Sequence, residues 1–549
     1  MDISLEGMWK IRLSDGTEGE IELPGTLDEG EIGPEDSGTN QWQPDAESED
    51  REFWEQGPIA TRFTRKHSYE GEAVLQKQLT LRLPVGKRCF LEAERARALR
   101  LLIDGEEIPA CRPASISSPW RFEVTGLLEG KHEITLLSDN SYPGLPHNAI
   151  VYSSAATDET QTNWNGILGR FGITVKEPVF LQGLFVYPVE DTLTVRAEVN
   201  GGRPWRGRLR LKSAALAESV ELEIAGEAGV ARIEQAGLPL AEGVRRWDEE
   251  EGNLYALEAE LEGEANGRKD SGVRFCSAET VTFGVRSFGD NGRGRLALNG
   301  RTIFLRGEAN CAMFPETGHP PMTAEEWEDI LKRYRAYGVN CMRFHSHCPP
   351  EAAFTAADRL GMLMQPELSH WNPRDAFESE ESFSYYREEL EGILRMLANH
   401  PSFVMLTFGN ELHAGEKGHR RMGELLRFAR EFDPTRLYAN ASNPHYGSLG
   451  CDPESDFYTS QSWRGLELRG TSAGMTGYIN REYPGAGHDY EKTMEKLREE
   501  FKKPVFSFEV GQFEVLPDFR ELEEFRGVTR PANYELIRER VREQGLEGV

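Results

Sequence analysis

This chain of 549 residues has little cysteine, no long apolar run and a shortage of positive charge. Each shortage closes off a class of protein. The seven cysteines, at 89, 111, 276, 311, 341, 348 and 451, are odd in number and scattered, so they read as reduced thiols rather than a disulfide framework. No stretch approaches the roughly 20 apolar residues that a membrane helix needs. Lys and Arg number 63 against 92 Asp and Glu, a formal charge of -29. That balance disfavours nucleic acid and anionic membranes, whose phosphates attract cations. The opening Met-Asp-Ile-Ser-Leu-Glu-Gly shows neither a basic leader nor an apolar core, and a cytoplasmic location is expected.

What is present is a globular composition, 38% hydrophobic and 10% aromatic, on a chain long enough for about three domains. Residues 1–185 read as all-β, with short alternating runs such as Cys89-Phe-Leu-Glu-Ala and Leu99-Arg-Leu-Leu-Ile before an Asp104-Gly105 turn. A β-sandwich is expected there, interrupted by an acidic loop over 45–55. Residues 186–288 alternate again, as in Leu254-Tyr-Ala-Leu-Glu-Ala-Glu-Leu, and their length suits a second, immunoglobulin-like sandwich. From 289 to 549 short apolar strands alternate with amphipathic helices, the grammar of parallel α/β folds. Seven strands are readable: Ile303-Phe-Leu-Arg, Val339-Asn-Cys-Met-Arg-Phe, Met362-Leu-Met, Phe403-Val-Met-Leu-Thr-Phe, Leu437-Tyr-Ala-Asn, Asp456-Phe-Tyr-Thr-Ser and Val505-Phe-Ser-Phe. Thr323 with Glu326 three residues on predicts a capped helix after the first. The count fits a (β/α)₈ barrel of the TIM type that lacks its final strand.

Function in such a barrel collects at the C-terminal strand ends. Those ends carry Glu308 and Asn310; Arg343, His345 and His347; Glu367 and His370; Asn410, Glu411 and His413; Asn440 and Asn443; Gln461 and Trp463; Glu509 and Gln512. Carboxylates, amides, an arginine and an indole make a poor core but a good saccharide pocket. Glycoside cleavage requires two carboxyl groups, one to protonate the leaving oxygen and one to attack the anomeric carbon or activate water. Glu411 and Glu509, on the fourth and seventh strands, are positioned to face each other across the mouth.

Gly409-Asn410-Glu411 resembles the acid/base motif of the β-galactosidases, β-glucuronidases and β-mannosidases of glycoside hydrolase family 2. Pro504-Val-Phe-Ser-Phe-Glu509 resembles their nucleophile strand, and Val339-Asn-Cys-Met-Arg343 their second strand. Phe283-Gly-Val-Arg-Ser-Phe, followed by Leu298-Asn-Gly-Arg-Thr-Ile-Phe-Leu-Arg-Gly307, is similar to their junction of sandwich and barrel. Leu5-Glu-Gly-Met-Trp9 and Trp164-Asn-Gly-Ile-Leu-Gly169 are similar to their N-terminal sugar-binding, jelly-roll sandwich. The resemblance implies a retaining hydrolase of terminal β-glycosides that needs no cofactor. It implies Glu411 as acid/base, Glu509 as nucleophile and Asn410 as a hydroxyl contact. Arg343 would orient the nucleophile, and the family's histidine would fall on His345 or His347. The strand ends add Glu367 and Trp463 as candidate substrate contacts; Glu367 is otherwise a cation site with His370 or, more in keeping with its place, a hydrogen-bonded carboxylate inside the barrel, and Trp463 is otherwise a core residue. Relatives carry an eighth strand bearing an aromatic residue, and none is readable here. Their Ser-His-Tyr-Pro after the second strand is replaced by Phe-His345-Ser-His347-Cys-Pro. The acidic balance and the absence of an arginine cluster lean towards a neutral, galactoside-like sugar.

Two rivals stand beside this reading. One is a carbohydrate-binding protein, or an inactive fragment, without turnover. The other takes His345-Ser-His347 as a metal site of the amidohydrolase kind, which would need further ligands such as His413 and His445. No metal is expected on the main reading. A homo-oligomer is compatible with the sequence.

Overall fold

The computed structural model describes residues 2–36, 60–266 apart from 114, 128 and 158, 272–443, 452–507 apart from 461, 464, 465 and 468–489, then 509 and 516–546. The acidic segment 45–55, Gln461 and Gln512 lie outside the described residues.

Up to Lys176 the chain forms two antiparallel sheets. One runs Ile3–Ser4, Gly166–Lys176, Arg88–Ala96, Trp120–Glu123, with Gly25–Thr26 also on Gly166–Lys176. The other runs Glu18–Leu23, Gly7–Leu13, Glu72–Leu81, Gly130–Asp139, Ala98–Ile103, Glu106–Ile108. The strands alternate buried and exposed positions because successive side chains leave opposite faces. Trp9, Leu75, Leu91, Ile134 and Phe171 meet in one core between the sheets. A short helix, His147–Tyr152, interrupts this otherwise all-β stretch.

The second antiparallel unit pairs Val179–Val189, Thr192–Gly201 and Gly229–Pro239 in one sheet. Val220–Gly226, Trp205–Lys212, Tyr255–Ala265 and Val273–Phe283 make the other. Val179–Val189 hydrogen-bonds into this unit, so the chain changes units at 177–178 rather than at the expected 185. Pairing, not pattern, decides membership.

Beyond the short strands Phe288–Asp290, Leu296–Leu298 and Arg301–Thr302, the described residues hold seven strands of a parallel set, joined where they pair by parallel ladders. They are Gly307–Asn310, Cys341–Phe344, Leu363–Gln365, Met405–Thr407, Leu437–Ala439, Tyr458–Ser460 and Val505–Ser507. The expected first strand, Ile303-Phe-Leu-Arg, is displaced: the ladder begins at Gly307, and Phe304 is 76% exposed. Helices Ala324–Ala336, Glu351–Leu360, Glu380–Leu397, Glu416–Phe432 and Tyr490–Phe501 accompany the strands. Thr323 accepts from the Glu326 amide and its hydroxyl meets the Glu326 carboxylate at 2.5 Å, the predicted capping box. Glu351–Leu360, which ends on left-handed Gly361, was not anticipated.

Buried polar ties hold the units in register. Arg286 donates to the carbonyls of Pro401 at 3.1 Å, Thr435 at 2.6 Å and Phe403 at 2.8 Å. Glu198 of the second β unit meets Arg395 at 2.7 Å, and Trp247 donates to the Asp358 carbonyl. Ile116 and Tyr142 from loops of the first unit, with Ala149 and Ile150 from its short helix, enter the same apolar core as Phe344, Leu368 and Phe408. Among the described residues no eighth strand joins the parallel set. After Val505–Ser507 the described chain passes through a turn at Phe519–Glu524 to Thr529–Arg530, which pairs antiparallel with Thr64–Arg65. Phe63 there packs edge-on to Phe525 and Tyr534.

Candidate active site

Where the parallel strands end, one guanidinium gathers three of them. Arg343 Nη1 donates to Glu509 Oε1 at 3.0 Å, and Nη2 donates to Asn410 Oδ1 at 2.7 Å. Its Nε donates to Glu367 Oε1 at 2.7 Å. Burial works against the Arg343 charge, but Glu367 and Glu509 outweigh it and raise the pKa. Glu411, next along the chain from Asn410, accepts from Asn443 Nδ2 at 3.2 Å. Both Glu411 and the Glu509 side chain are partly open, Glu509 at 14%.

Backbone strain marks the same place. Glu411 at φ 47° and Glu509 at φ 50° both occupy the left-handed region, as do Asn443 at 50° and Ala312 at 56°. Such conformations cost on the order of 1–3 kcal/mol each in non-glycine residues and cluster where a site demands them. Gly409, at φ 138°, crosses the His370 backbone where no β-carbon fits.

The remaining expected residues divide. His345 Nδ1 lies 3.2 Å from Ser154 Oγ and 3.5 Å from Cys311 Sγ, and its ring meets Trp371 edge-on at 5.1 Å. Burial, then Arg343, hold its pKa well below the ordinary value, so it is neutral. Burial likewise pushes the Cys311 thiol up to about 11. Two of the expected residues lie deeper. His347 is 3% exposed, donates through Nδ1 to the His345 carbonyl and lines a cavity between the first β unit and the strand ends. That cavity, of about 20 Å³, holds one water at most and no sugar. Glu367 has no exposed surface at all and lies behind Arg343, in keeping with the hydrogen-bonded carboxylate inside the barrel that the sequence favoured over a pocket contact. Both residues sit on strand-end positions that turn inward, and sequence spacing does not tell inward from mouthward. The side chain of Trp463 lies outside the described residues.

Ser154, Trp371 and Ser442 were missed. Ser154 arrives from the first β unit, 191 positions from His345, and no local pattern announces it. Among the described residues no group of three or more His, Cys, Asp or Glu side chains is set to hold a metal ion. No described helix is long and apolar enough to cross a membrane.

Two antiparallel β units thus stand in front of a parallel β/α unit that carries carboxylates at its strand ends. Residues 292–512 match the family model for glycosyl hydrolases family 2, TIM barrel domain. The chain is 25% identical over 339 residues to the β-galactosidase large subunit of Latilactobacillus sakei, an alignment covering 56% of this chain and 50% of that one. The chain thus spans half the length of that relative, and 18% of a Vibrio vulnificus β-galactosidase. In fold it is similar to a Bacteroides uniformis β-glucuronidase, with a TM-score of 0.65 at 18% identity over 91% of this chain and 58% of that one. A family 2 β-galacturonidase from Eisenbergiella tayi superposes with a TM-score of 0.63 at 15% identity, over 98% of this chain and 95% of that one.

Proposed function

We propose that this chain hydrolyses terminal β-glycosidic bonds with retention, using Glu509 as nucleophile and Glu411 as acid/base. The observation that carries the reading is the Arg343 guanidinium, which touches both Glu509 and the residue beside Glu411. Strands far apart in sequence are thereby drawn to one anomeric centre. Glu509 attacks the anomeric carbon while Glu411 passes its proton to the departing oxygen, breaking the glycosidic bond and leaving a glycosyl ester on Glu509. Glu411, now ionised, takes a proton from water, whose oxygen attacks the same carbon and releases the ester. Asn410, steadied by Arg343, offers its amide to a sugar hydroxyl, and His345 walls the pocket as a neutral ring.

In the same reading the two antiparallel units are sandwiches that carry the barrel, and the first supplies Ser154 to the pocket wall. The substrate is an oligosaccharide or aryl glycoside whose sugar falls within the range that the relatives' names span: galactoside, glucuronide or galacturonide. A panel of aryl β-glycosides tests this. The expected result is release of the aryl alcohol from at least one member, reduced by about 10²–10⁴ in Glu411→Gln. No turnover of any member, or wild-type turnover in Glu509→Ala, sinks the reading.

A further inference from the structure

Glu367 is the least accessible carboxylate near the site, and it is unusually well held. Besides Arg343 Nε at 2.7 Å and a longer contact to Nη2 at 3.4 Å, it accepts from Ser442 Oγ at 2.5 Å and Thr407 Oγ1 at 3.1 Å. Its own amide donates to the His347 carbonyl, and its backbone bridges Thr407 in a parallel register. The side chain is thus anchored from the second and fourth strands and from the segment after the fifth. It has no freedom of its own.

A buried ion pair gains little over a well-packed apolar replacement, so the cost of burying these charges calls for another return. Geometry supplies it. An arginine carries about 2 kcal/mol of rotamer entropy and presents five donors in a rigid fork. Glu367 occupies the Nε side of that fork, which leaves Nη1 aimed at Glu509 and Nη2 shared with Asn410. With Glu367 in place the guanidinium plane has one orientation, and that orientation points at the nucleophile.

We propose that Glu367 is a positioning residue: through Arg343 it fixes the direction of the Glu509 carboxylate and of the Asn410 amide. The proposal rests on the reading of Glu509 as nucleophile. It goes beyond that reading in giving the interior carboxylate an effect on the chemical step without any contact with substrate.

The test uses the full chain and a 2-deoxy-2-fluoro β-glycoside of whichever sugar the aryl panel identifies, with labelling followed by intact mass. Mass counts labelled molecules, and thermal unfolding run in parallel counts folded ones, so rate per folded molecule is obtained directly. The first-order labelling constant of Glu367→Gln is expected to fall about 10- to 100-fold, the scale of a misplacement near 1 Å, with the inhibitor's binding constant held within about twofold. Glu367→Asp, which keeps the charge on a shorter arm, recovers part of the loss. A wild-type labelling constant in folded Glu367→Gln overturns the proposal, as does a loss confined to binding. If Glu367→Gln does not fold, Ser442→Ala removes one anchor of the carboxylate and reads the same constant. A several-fold fall there supports the proposal, and a wild-type value overturns it. Failure of the wild type to label or turn over strikes instead at the assignment of Glu509 itself.

Discussion

Gly409 lies so close to His370 that a β-carbon on it would sit 2.1 Å from the His370 carbonyl oxygen and 2.9 Å from the His370 β-carbon. The glycine precedes Asn410 and Glu411, and its φ of 138° is one that side chains rarely adopt. Gly409→Ala is therefore expected to lose about 1–3 kcal/mol for the backbone conformation alone, with the contact adding to it. Urea unfolding measures the loss. Turnover is expected to fall as well, because relief of the clash moves the residues that follow.

Arg343 separates two carboxylates of unequal burial, which makes the consequences of removing each partner different. Arg343→Met strips Glu367 of its counter-charge in a fully buried place and is expected to cost about 3–5 kcal/mol. Glu509→Ala leaves the Arg343–Glu367 pair intact and is expected to leave the unfolding midpoint near that of the wild type while abolishing turnover. Equal destabilisation by the two variants would contradict this division.

His400 gives the fold a pH dependence remote from the site. Burial alone would remove its proton, but Asp358 at 2.6 Å and Glu351 at 3.6 Å outweigh burial and raise the pKa from 6.5 to about 10. A raised pKa means that the folded state holds the proton more tightly than the unfolded chain does. The stabilisation is complete below pH 6.5 and drains away as pH climbs through 10. Urea midpoints across that window are expected to decline in the wild type more steeply than in His400→Gln. The two proteins differ most on the acid side. Parallel slopes would refute the assignment.

Much of the candidate site was legible because carboxylates, an amide and an arginine are foreign to the inside of a strand. Asn410-Glu411 and Glu509 stand out as polar groups closing the apolar runs Phe403-Val-Met-Leu-Thr-Phe and Val505-Phe-Ser-Phe. Arg343 does the same on the second strand, and Thr323 with Glu326 announced a helix start through purely local hydrogen bonding. Other features depended on partners far along the chain. Ile303-Phe-Leu-Arg has the composition of a buried strand, yet Phe304 stands in solvent and the ladder starts afterwards. His347 and Glu367 share the polarity of mouth-facing residues while facing inward, since the direction of a strand-end side chain is set by its neighbours in the sheet. Ser154 reaches His345 from another unit altogether, where nothing in its own segment marks it.

Tyr534 and Phe525 clasp Phe63 from opposite sides of the chain's length, with ring centroids at 5.2 and 4.8 Å. An aromatic pair of this kind is worth about 0.5–1.5 kcal/mol beyond its buried area. Tyr534→Ala is expected to speed limited proteolysis near residues 516–546 without altering turnover of an aryl glycoside. Unchanged cleavage would show that the backbone pairing of Thr529–Arg530 suffices.

That pairing also imposes an order of events on synthesis. Thr64 and Arg65 leave the ribosome early, but the strand that satisfies them is made more than four hundred residues later. Until then the margin of the first β unit stays open, with Phe63 uncovered beside it, and a helper or a misplaced neighbour has a template to seize. That margin closes only once Thr529–Arg530 has been made, so premature stops upstream of Thr529 should yield aggregation rather than a smaller folded protein.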